Sequence, residues 1–299
     1  MPDDELDEAF GLGRTCALAA ECGRDLRRCA QMYAGLFPPA AFDSEFYNGL
    51  TLTVAFSAPW ATADRLKIAN RAAMWVLAVE RLVEHTTTTR EQVNRLTREC
   101  LSVADGAVPR SAVTRFLADL RDELAIAKEF EDLQWIWRDQ LARMLAGMAR
   151  AWVWRDTRAV PTLARYLDNA DSRGSCFVDV SHWIYTADDW AKAHLEDLRA
   201  VSRHVQRYLH LLGDVASYRR DVSWGDLNVL SLGVSRAEVT AAMAELAREA
   251  SGLIEPVRAR SPARPPTWGD RSDSTPVSTE FRAPGRRRKR PVGFHDKPA

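Results

Sequence analysis

This 299-residue chain has no net charge: 41 Lys and Arg balance 41 Asp and Glu, and its isoelectric point lies near 7.0. Without an excess of either sign, no global field draws it to nucleic acid or to an anionic membrane. Cysteine is scarce and poorly spaced. The five (Cys16, Cys22, Cys29, Cys100, Cys176) are odd in number and form no CxxC pair. That argues against a disulfide scaffold or a zinc site and for a reduced cytosolic protein. No apolar run reaches the roughly 18 residues of a membrane span. The acidic opening "MPDDELDEAF" lacks the basic start of a signal peptide, so a cytoplasmic location is expected. Val-rich alternation is missing, which excludes an obvious sheet, and there is no internal repeat.

What is present is helical. Apolar residues make up 46% of the chain, ten of them Trp, which is ample for a core. From about residue 12 to 255, Ala, Leu, Arg and Glu dominate and apolar positions recur at three and four. The clearest segments are 65–85, 112–125, 130–156 and 190–221. A last one, 235–255, opens on Ser235 with Glu238 three residues on, a capping-box pattern. The expectation is a single all-α bundle over residues 1–255. Residues 256–299 differ in kind, holding eight of the fourteen prolines and eleven Lys and Arg against four Asp and Glu. Such a segment buries too little apolar surface to order itself. Its basic run, Arg286 to Arg290, suits a phosphate-bearing partner, but a solvated disordered tail is the plainer reading.

One stretch carries chemistry. In "GDVASYRRDVSWGDLN" (213–228), Asp214, Ser217 and Asp221 stand at i, i+3 and i+7 and leave one side of a helix. Two carboxylates and a hydroxyl there suit a hard cation such as Mg²⁺, which also takes substrate phosphates. The wet face of an amphipathic helix is the alternative. Other features carry less. Asp188 and Asp189 lie at a helix start, where carboxylates complement the dipole. His204 and His210 are six apart and share no ligand face, and "GLGRTC" (11–16) lacks a P-loop lysine.

The segment 211–246 resembles the second metal-binding motif of bacterial class I terpene synthases: Asn-Asp, Ser, a basic residue then Glu, followed by a Gly-Asp-x-x-Asn turn. Asp214, Ser217, Arg220 and Asp221 match in kind, as do Gly225, Asp226 and Asn228 of the turn. Gly213 stands where the family has a ligand Asn, and Asp221 replaces Glu. Upstream, "AAMWVLAVERLVEH" (72–85) is similar to the helix of the family's aspartate-rich motif. Trp75 and Leu77 take its aromatic and apolar places, and Glu80, Arg81 and Glu84 its acidic ones. A third segment, 160–177, resembles the Pro-Thr-x-x-x-Tyr-Leu stretch before a helix break, through Pro161, Thr162, Tyr166, Leu167 and Gly174. Asn169 or Ala170 falls where the family's diphosphate-sensing Arg is expected, and Arg173 is the nearby candidate. The family's C-terminal Arg-Tyr pair is missing, since no Tyr follows Tyr218.

The resemblance implies an isoprenoid-synthase bundle with a central apolar cavity. It also implies a lyase that ionises an isoprenyl diphosphate with Mg²⁺, three ions in all, and cyclises the cation in a dry pocket. Glu80 and Glu84 would form one metal wall; Asp214, Ser217 and Asp221 the other, with Asp214 standing in for the missing Asn. Arg173 and Arg220 would bind the diphosphate, and Phe56, Trp75 and Trp183 would line the pocket. The plainer readings are a solvated face for Glu80 and Glu84 and core packing for the Trp residues. The substrate lean is diterpene-sized, geranylgeranyl diphosphate or a cyclised diphosphate from a partner enzyme; nucleic acid and a membrane span are not expected, and a homodimer is left open. Two rivals remain. One is a non-catalytic prenyl-diphosphate binder or accessory subunit that kept the fold, and the other an enzyme using the cavity for prenyl transfer or for an already cyclised substrate.

Because its proline and arginine content argues against packing, deletion of residues 271–299 is expected to leave helicity and melting temperature unchanged by circular dichroism. A marked fall in melting temperature would show that the tail packs.

Overall fold

Helix starts are written in short polar side chains. Asp43, Thr62 and Thr162 each accept a hydrogen bond from the backbone N–H three residues on, while Thr89–Gln92 and Ser111–Thr114 form reciprocal capping boxes. The Ser235–Glu238 box forms as the sequence indicates: the Ser235 N–H donates to Glu238 Oε2 (2.8 Å) and the Glu238 N–H to Ser235 Oγ (3.2 Å). The computed structural model describes residues 3–127, 130–186 and 189–260.

Among these residues there are eleven α-helices and no strand, so the all-α expectation holds. They are α1 (Asp3–Gln31), α2 (Ser44–Ser57), α3 (Ala63–Arg81), α4 (Arg90–Ala104), α5 (Ala112–Leu124) and α6 (Phe130–Thr157). After these come α7 (Leu163–Leu167), α8 (Ser175–Thr186), α9 (Asp189–Ala193), α10 (Leu195–Trp224) and α11 (Arg236–Arg260). The expected helix 190–221 is interrupted at His194, and its main body, α10, runs on to the left-handed Gly225. Asp188 lies outside the described residues, as does the tail from residue 261. The boundary at 255 shifts: α11 passes through Pro256, and Arg260 accepts a bond from Trp190 Nε1 (2.8 Å) and donates one to Asp197 (3.1 Å).

Two apolar clusters hold the bundle. The larger packs α1 to α6 with α8 around Trp75, Phe116, Trp137 and Phe177. The smaller sets α11 on α10 through Leu211, Val239 and Leu246, with Trp154 and Tyr166. At roughly 1.5–3 kcal/mol for each fully buried large side chain, these clusters outweigh any helix propensity. Two local features place the functional residues. The helix α3 continues into a wider π-type turn, Leu82–Thr86, closed by the Thr87 N–H on the Leu82 carbonyl (2.9 Å). Between α7 and α8, a 3₁₀ turn (Ala170–Arg173) ends at Gly174, whose φ of 73° lies in the left-handed region. There is no room for a side chain at Gly174: a Cβ would sit 2.5 Å from Val76 Cγ1 and 2.9 Å from Met144 Sδ.

Gly174→Ala is therefore expected to destabilise the fold by about 2–4 kcal/mol, from left-handed strain plus overpacking against α3 and α6. Urea denaturation checks this; a cost near zero would show that α8 can re-aim without strain.

Candidate active site

Four helices each turn one stripe inward. On α2 the stripe is Phe46, Leu50, Thr53, Val54 and Ser57; on α3 it is Leu66, Ala69, Ala73, Val76, Leu77 and Glu80. From α8 come Ser175, Val178, Asp179, His182 and Trp183, and from α10 Ser202, Gln206, Gly213, Ser217 and Arg220. The spacing of three and four is that of amphipathic helices, but the stripes do not close on one another. They bound a cavity of about 1000 Å³, apolar along most of its length. One polar side groups Glu80, Arg173, Ser217 and Arg220, while Arg65 and Asp179 border the cavity elsewhere. Glu80, Arg173 and His210 also border a recess of about 40 Å³ that adds Glu84, Arg155 and Tyr166.

Arg173 joins the two sides of this charged region. Its Nη1 donates to Glu80 Oε1 on α3 and its Nη2 to Asp214 Oδ1 on α10, both at 3.0 Å. Asp214 is fully buried, and its second oxygen accepts from Tyr166 Oη (2.6 Å) and the Val229 N–H (2.9 Å). Burial and the Asp214 charge hold the Tyr166 hydroxyl well above its ordinary pKa, so it stays a donor. His210 packs on the Tyr166 ring at 4.6 Å; burial and then the Arg173 charge lower its pKa well below the usual value, leaving a neutral imidazole.

Asp221 is the hub of the second wall. Its Oδ2 accepts from Ser217 Oγ and from Asn228 Nδ2 (2.9 Å), and its Oδ1 accepts from Arg220 Nη2 (3.0 Å). Asn228 also donates to the Asp214 carbonyl (2.8 Å), which explains why the Gly-Asp-x-x-Asn turn must return against α10. The Arg220 guanidinium carbon lies 5.3 Å from the centre of the Trp224 ring.

Glu84 is placed differently. It sits on the π-type turn, half-buried, and accepts no hydrogen bond among the described residues; His85 Nε2 is 3.9 Å away. Ligand atoms of Glu84, His85 and Asp226 lie within 4.8 Å of one another. Burial first, then the Glu80 charge, push the Glu84 carboxyl up to about 8, and Arg173 only partly offsets this. Two neighbouring carboxylates, one needing a proton, are hard-oxygen donors whose repulsion a divalent cation would relieve, so the first wall fits Mg²⁺. On the second wall Ser217 borders the cavity, whereas Asp221 is buried behind it and borders neither space; of its oxygens only Oδ1 would be released if Arg220 turned away. Gly213 supplies no ligand, although a Cβ there would meet nothing within 4 Å.

The sequence-derived candidates separate into two groups. Glu80, Arg173, Ser217, Arg220 and Trp183 border the large cavity, and Glu84 the adjoining recess. Asp214 does not face the cavity as a ligand: it turns inward, with both oxygens taken by Arg173, Tyr166 and Val229. Trp75 is off the wall as well. Its side chain is turned out of the wall that Val76 and Glu80 line, donates from Nε1 to the Val113 carbonyl (2.9 Å) and packs against Phe177. Phe56 falls between the inward positions of α2 and is 42% exposed. Trp60, Asp179 and Ser202 are wall residues that belong to none of the sequence motifs, and His210, which the sequence offers only as half of a pair sharing no ligand face, joins them; only the 175/178/179/182/183 spacing on α8 points to Asp179.

The family model described as terpene synthase family 2, C-terminal metal binding, matches residues 73–250, which hold both walls and the Arg173 turn. The chain belongs to that family. A crystal structure of 2-methylisoborneol synthase from Streptomyces coelicolor A3(2), in complex with Mg²⁺ and 2-fluoroneryl diphosphate, shares the fold. It is 18% identical, the alignment covers 81% of each chain, and the TM-score is 0.62. Among curated proteins no sequence match was found.

The raised Glu84 pKa has a measurable consequence without metal. The folded chain keeps this proton to a higher pH than the unfolded chain does. That contribution to stability is fully present below the ordinary glutamate pKa and is lost as pH rises towards 8. In EDTA, Glu84→Gln, which mimics the protonated acid, is expected to melt progressively higher than wild type as pH goes from about 5 to about 8. A constant or falling difference between the two melting curves would refute the assignment.

Proposed function

We propose that the chain is a class I terpene synthase, a lyase that uses Mg²⁺ to ionise an isoprenyl diphosphate and rearranges the carbocation before releasing product and pyrophosphate. One observation carries this reading: the cavity is amphiphilic, with a mostly apolar lining and Glu80, Arg173, Ser217 and Arg220 gathered on one side. That is the shape and polarity of a hydrocarbon chain with a charged head. Family membership and the Mg²⁺ and prenyl diphosphate analogue held by the structural neighbour support it.

Glu80 and Glu84 on one wall, with Ser217 and Asp221 on the other, would hold three ions. Bound Mg²⁺ supplies charge neutralisation for the departing diphosphate. The chain's own residues do the rest. Arg173 and Arg220 can each leave a carboxylate partner for a diphosphate oxygen, a fork-shaped donor exchanging one anion for another. The apolar stripes of α2, α3, α8 and α10 exclude water, and the rings of Trp60, Trp183 and Trp190 face the cavity where a cation would travel. At about 1000 Å³ the cavity stands at the upper end of ligand-site volumes, which supports a diterpene-sized substrate over a smaller one. No helix among the described residues is long and apolar enough to cross a membrane, in keeping with the cytoplasmic location we propose.

A second reading, a binder that holds prenyl diphosphates without turnover, draws on Gly213 and on the complete engagement of Asp221. The purified chain given farnesyl or geranylgeranyl diphosphate with Mg²⁺ separates the two: the enzyme releases pyrophosphate and a terpene seen by mass spectrometry, and the binder does neither. EDTA should stop release. Asp221→Ala should lower it at least about 10–100-fold, and Gly213→Asn, which has room for its side chain, should leave it equal or faster. Release indifferent to both EDTA and Asp221→Ala would sink the metal reading.

A further inference from the structure

Within the apolar length of the cavity there is a carboxyl group that the ionisation step does not use. Asp179 lies on the inward stripe of α8, one turn beyond Ser175 and one turn before Trp183. Its Oδ2 accepts a hydrogen bond from Ser202 Oγ on α10 at 2.6 Å. Its Oδ1 accepts none among the described residues, and the side chain borders the cavity. Ser202 is eleven residues before Gly213 on the same helix, so the Asp179–Ser202 pair stands about 16 Å along α10 from the start of the charged wall. A diphosphate held at that wall is too far away to act as a base at this depth.

Burial without an ion-pair partner needs a reason, because an isolated carboxylate is costly to bury. Burial pushes this carboxyl up to about 6, only partly opposed by the Ser202 hydrogen bond, so it is still ionised above neutral pH. Arg65 also borders the cavity, with its Nη2 on the Thr186 carbonyl at the far end of α8 (3.2 Å), so Asp179 is the anionic group of this part and attracts a carbocation to its own depth. The side chain there is a Brønsted base with a free oxygen.

We propose that Asp179 is the proton acceptor that ends the reaction in this cavity, which rests on the terpene synthase reading above. The C–H bond next to the cationic carbon breaks. Its electron pair becomes the new C=C bond and neutralises the cation, and the proton passes to Asp179 Oδ1 and then to water when the alkene leaves. The ligand class is therefore a hydrocarbon cation that leaves as an alkene, and Ser202 positions the carboxylate by holding its other oxygen.

The test uses the full chain with Mg²⁺ and farnesyl or geranylgeranyl diphosphate, reading pyrophosphate release and the product profile separately, with circular dichroism as the folding control. Asp179→Asn keeps the shape and can still accept from Ser202. It should release pyrophosphate at close to the wild-type rate while the main alkene falls at least about tenfold, replaced by isomeric alkenes and by alcohols from water capture. Asp179→Glu should restore part of the wild-type alkene. Ser202→Ala, which removes the hydrogen bond that aims the carboxyl, should shift a smaller part of the product towards the same isomeric alkenes and alcohols; if Asp179→Asn does not fold, an unchanged product ratio in both Asp179→Glu and Ser202→Ala overturns the proposal. An unchanged product ratio in Asp179→Asn, a shift in Ser202→Ala as large as that in Asp179→Asn, or a wild-type product made only of alcohols would each overturn the proposal. Wild-type protein that releases no pyrophosphate from either substrate overturns the parent reading, and this one with it.

Discussion

The Arg173 guanidinium is the contact on which the site depends. Its partners sit on two helices far apart in sequence, Glu80 on α3 and Asp214 on α10, and each bond measures 3.0 Å. The accessible third of its side chain borders the two cavities. Removing one partner of such a network leaves a charge uncompensated in a poorly solvated place, which typically costs about 3–5 kcal/mol. The pair is thus weak evidence for net stability but a strong constraint on geometry. It sets how the α3 carboxylates stand relative to the Ser217–Asp221 wall before any ligand arrives. Arg173 is itself aimed by its neighbour: Gly174 turns the chain in the left-handed region, against Val76 and Met144, where no other residue fits.

The charges around Arg173 follow from the same arrangement. Glu80, Glu84, Asp214, Asp221 and Asp226 stand among Arg155, Arg173 and Arg220. The guanidinium groups occupy Asp214 and Asp221 and one oxygen of Glu80, leaving Glu84 to bear the repulsion. The widened turn at Leu82–Thr86 places Glu84 in the recess beside Glu80. A site with surplus negative charge and guanidinium groups paired to carboxylates suits a ligand that brings both divalent cations and a polyanion, because the cations can take over the carboxylates and the polyanion the guanidinium groups.

An open cavity of about 1000 Å³ is costly in a bundle, since close packing is the norm in protein interiors. The large aromatics that keep it open are behind the wall. Trp75, Trp137 and Phe177 form a fully buried aromatic group between α3, α6 and α8, with ring centres 5.5–5.6 Å apart. Trp137 is fixed further by its Nε1 donating to Ser181 Oγ (3.0 Å). On α3 the wall-side stripe includes the small Ala69, Ala73 and Val76 beside Leu66 and Leu77. The outer aromatic packing fixes α3, α6 and α8 against one another, so closing the space over those small residues would break it.

Local rules were sufficient for much of this. Helical period, the Ser235 capping box and the polar spacing at Asp214, Ser217 and Asp221 are properties of neighbouring residues, readable because a helix repeats every 3.6 residues. The order of the motifs likewise singled out Glu80, Glu84, Arg173, Ser217 and Arg220, which border the large cavity or its adjoining recess. Which way each side chain turns was decided by tertiary contacts. Asp214 shares a helix with Ser217, yet Tyr166, Val229 and Arg173 from three other segments draw it away from the cavity. Trp75 and Phe56 have neighbours that line the wall, but a step of one residue rotates a helical side chain by about 100°, enough to put one in the core and the other in solvent. Asp179 carries no motif at all. Its meaning arises only when Ser202, distant in sequence, meets it across an apolar space that no local pattern can reveal.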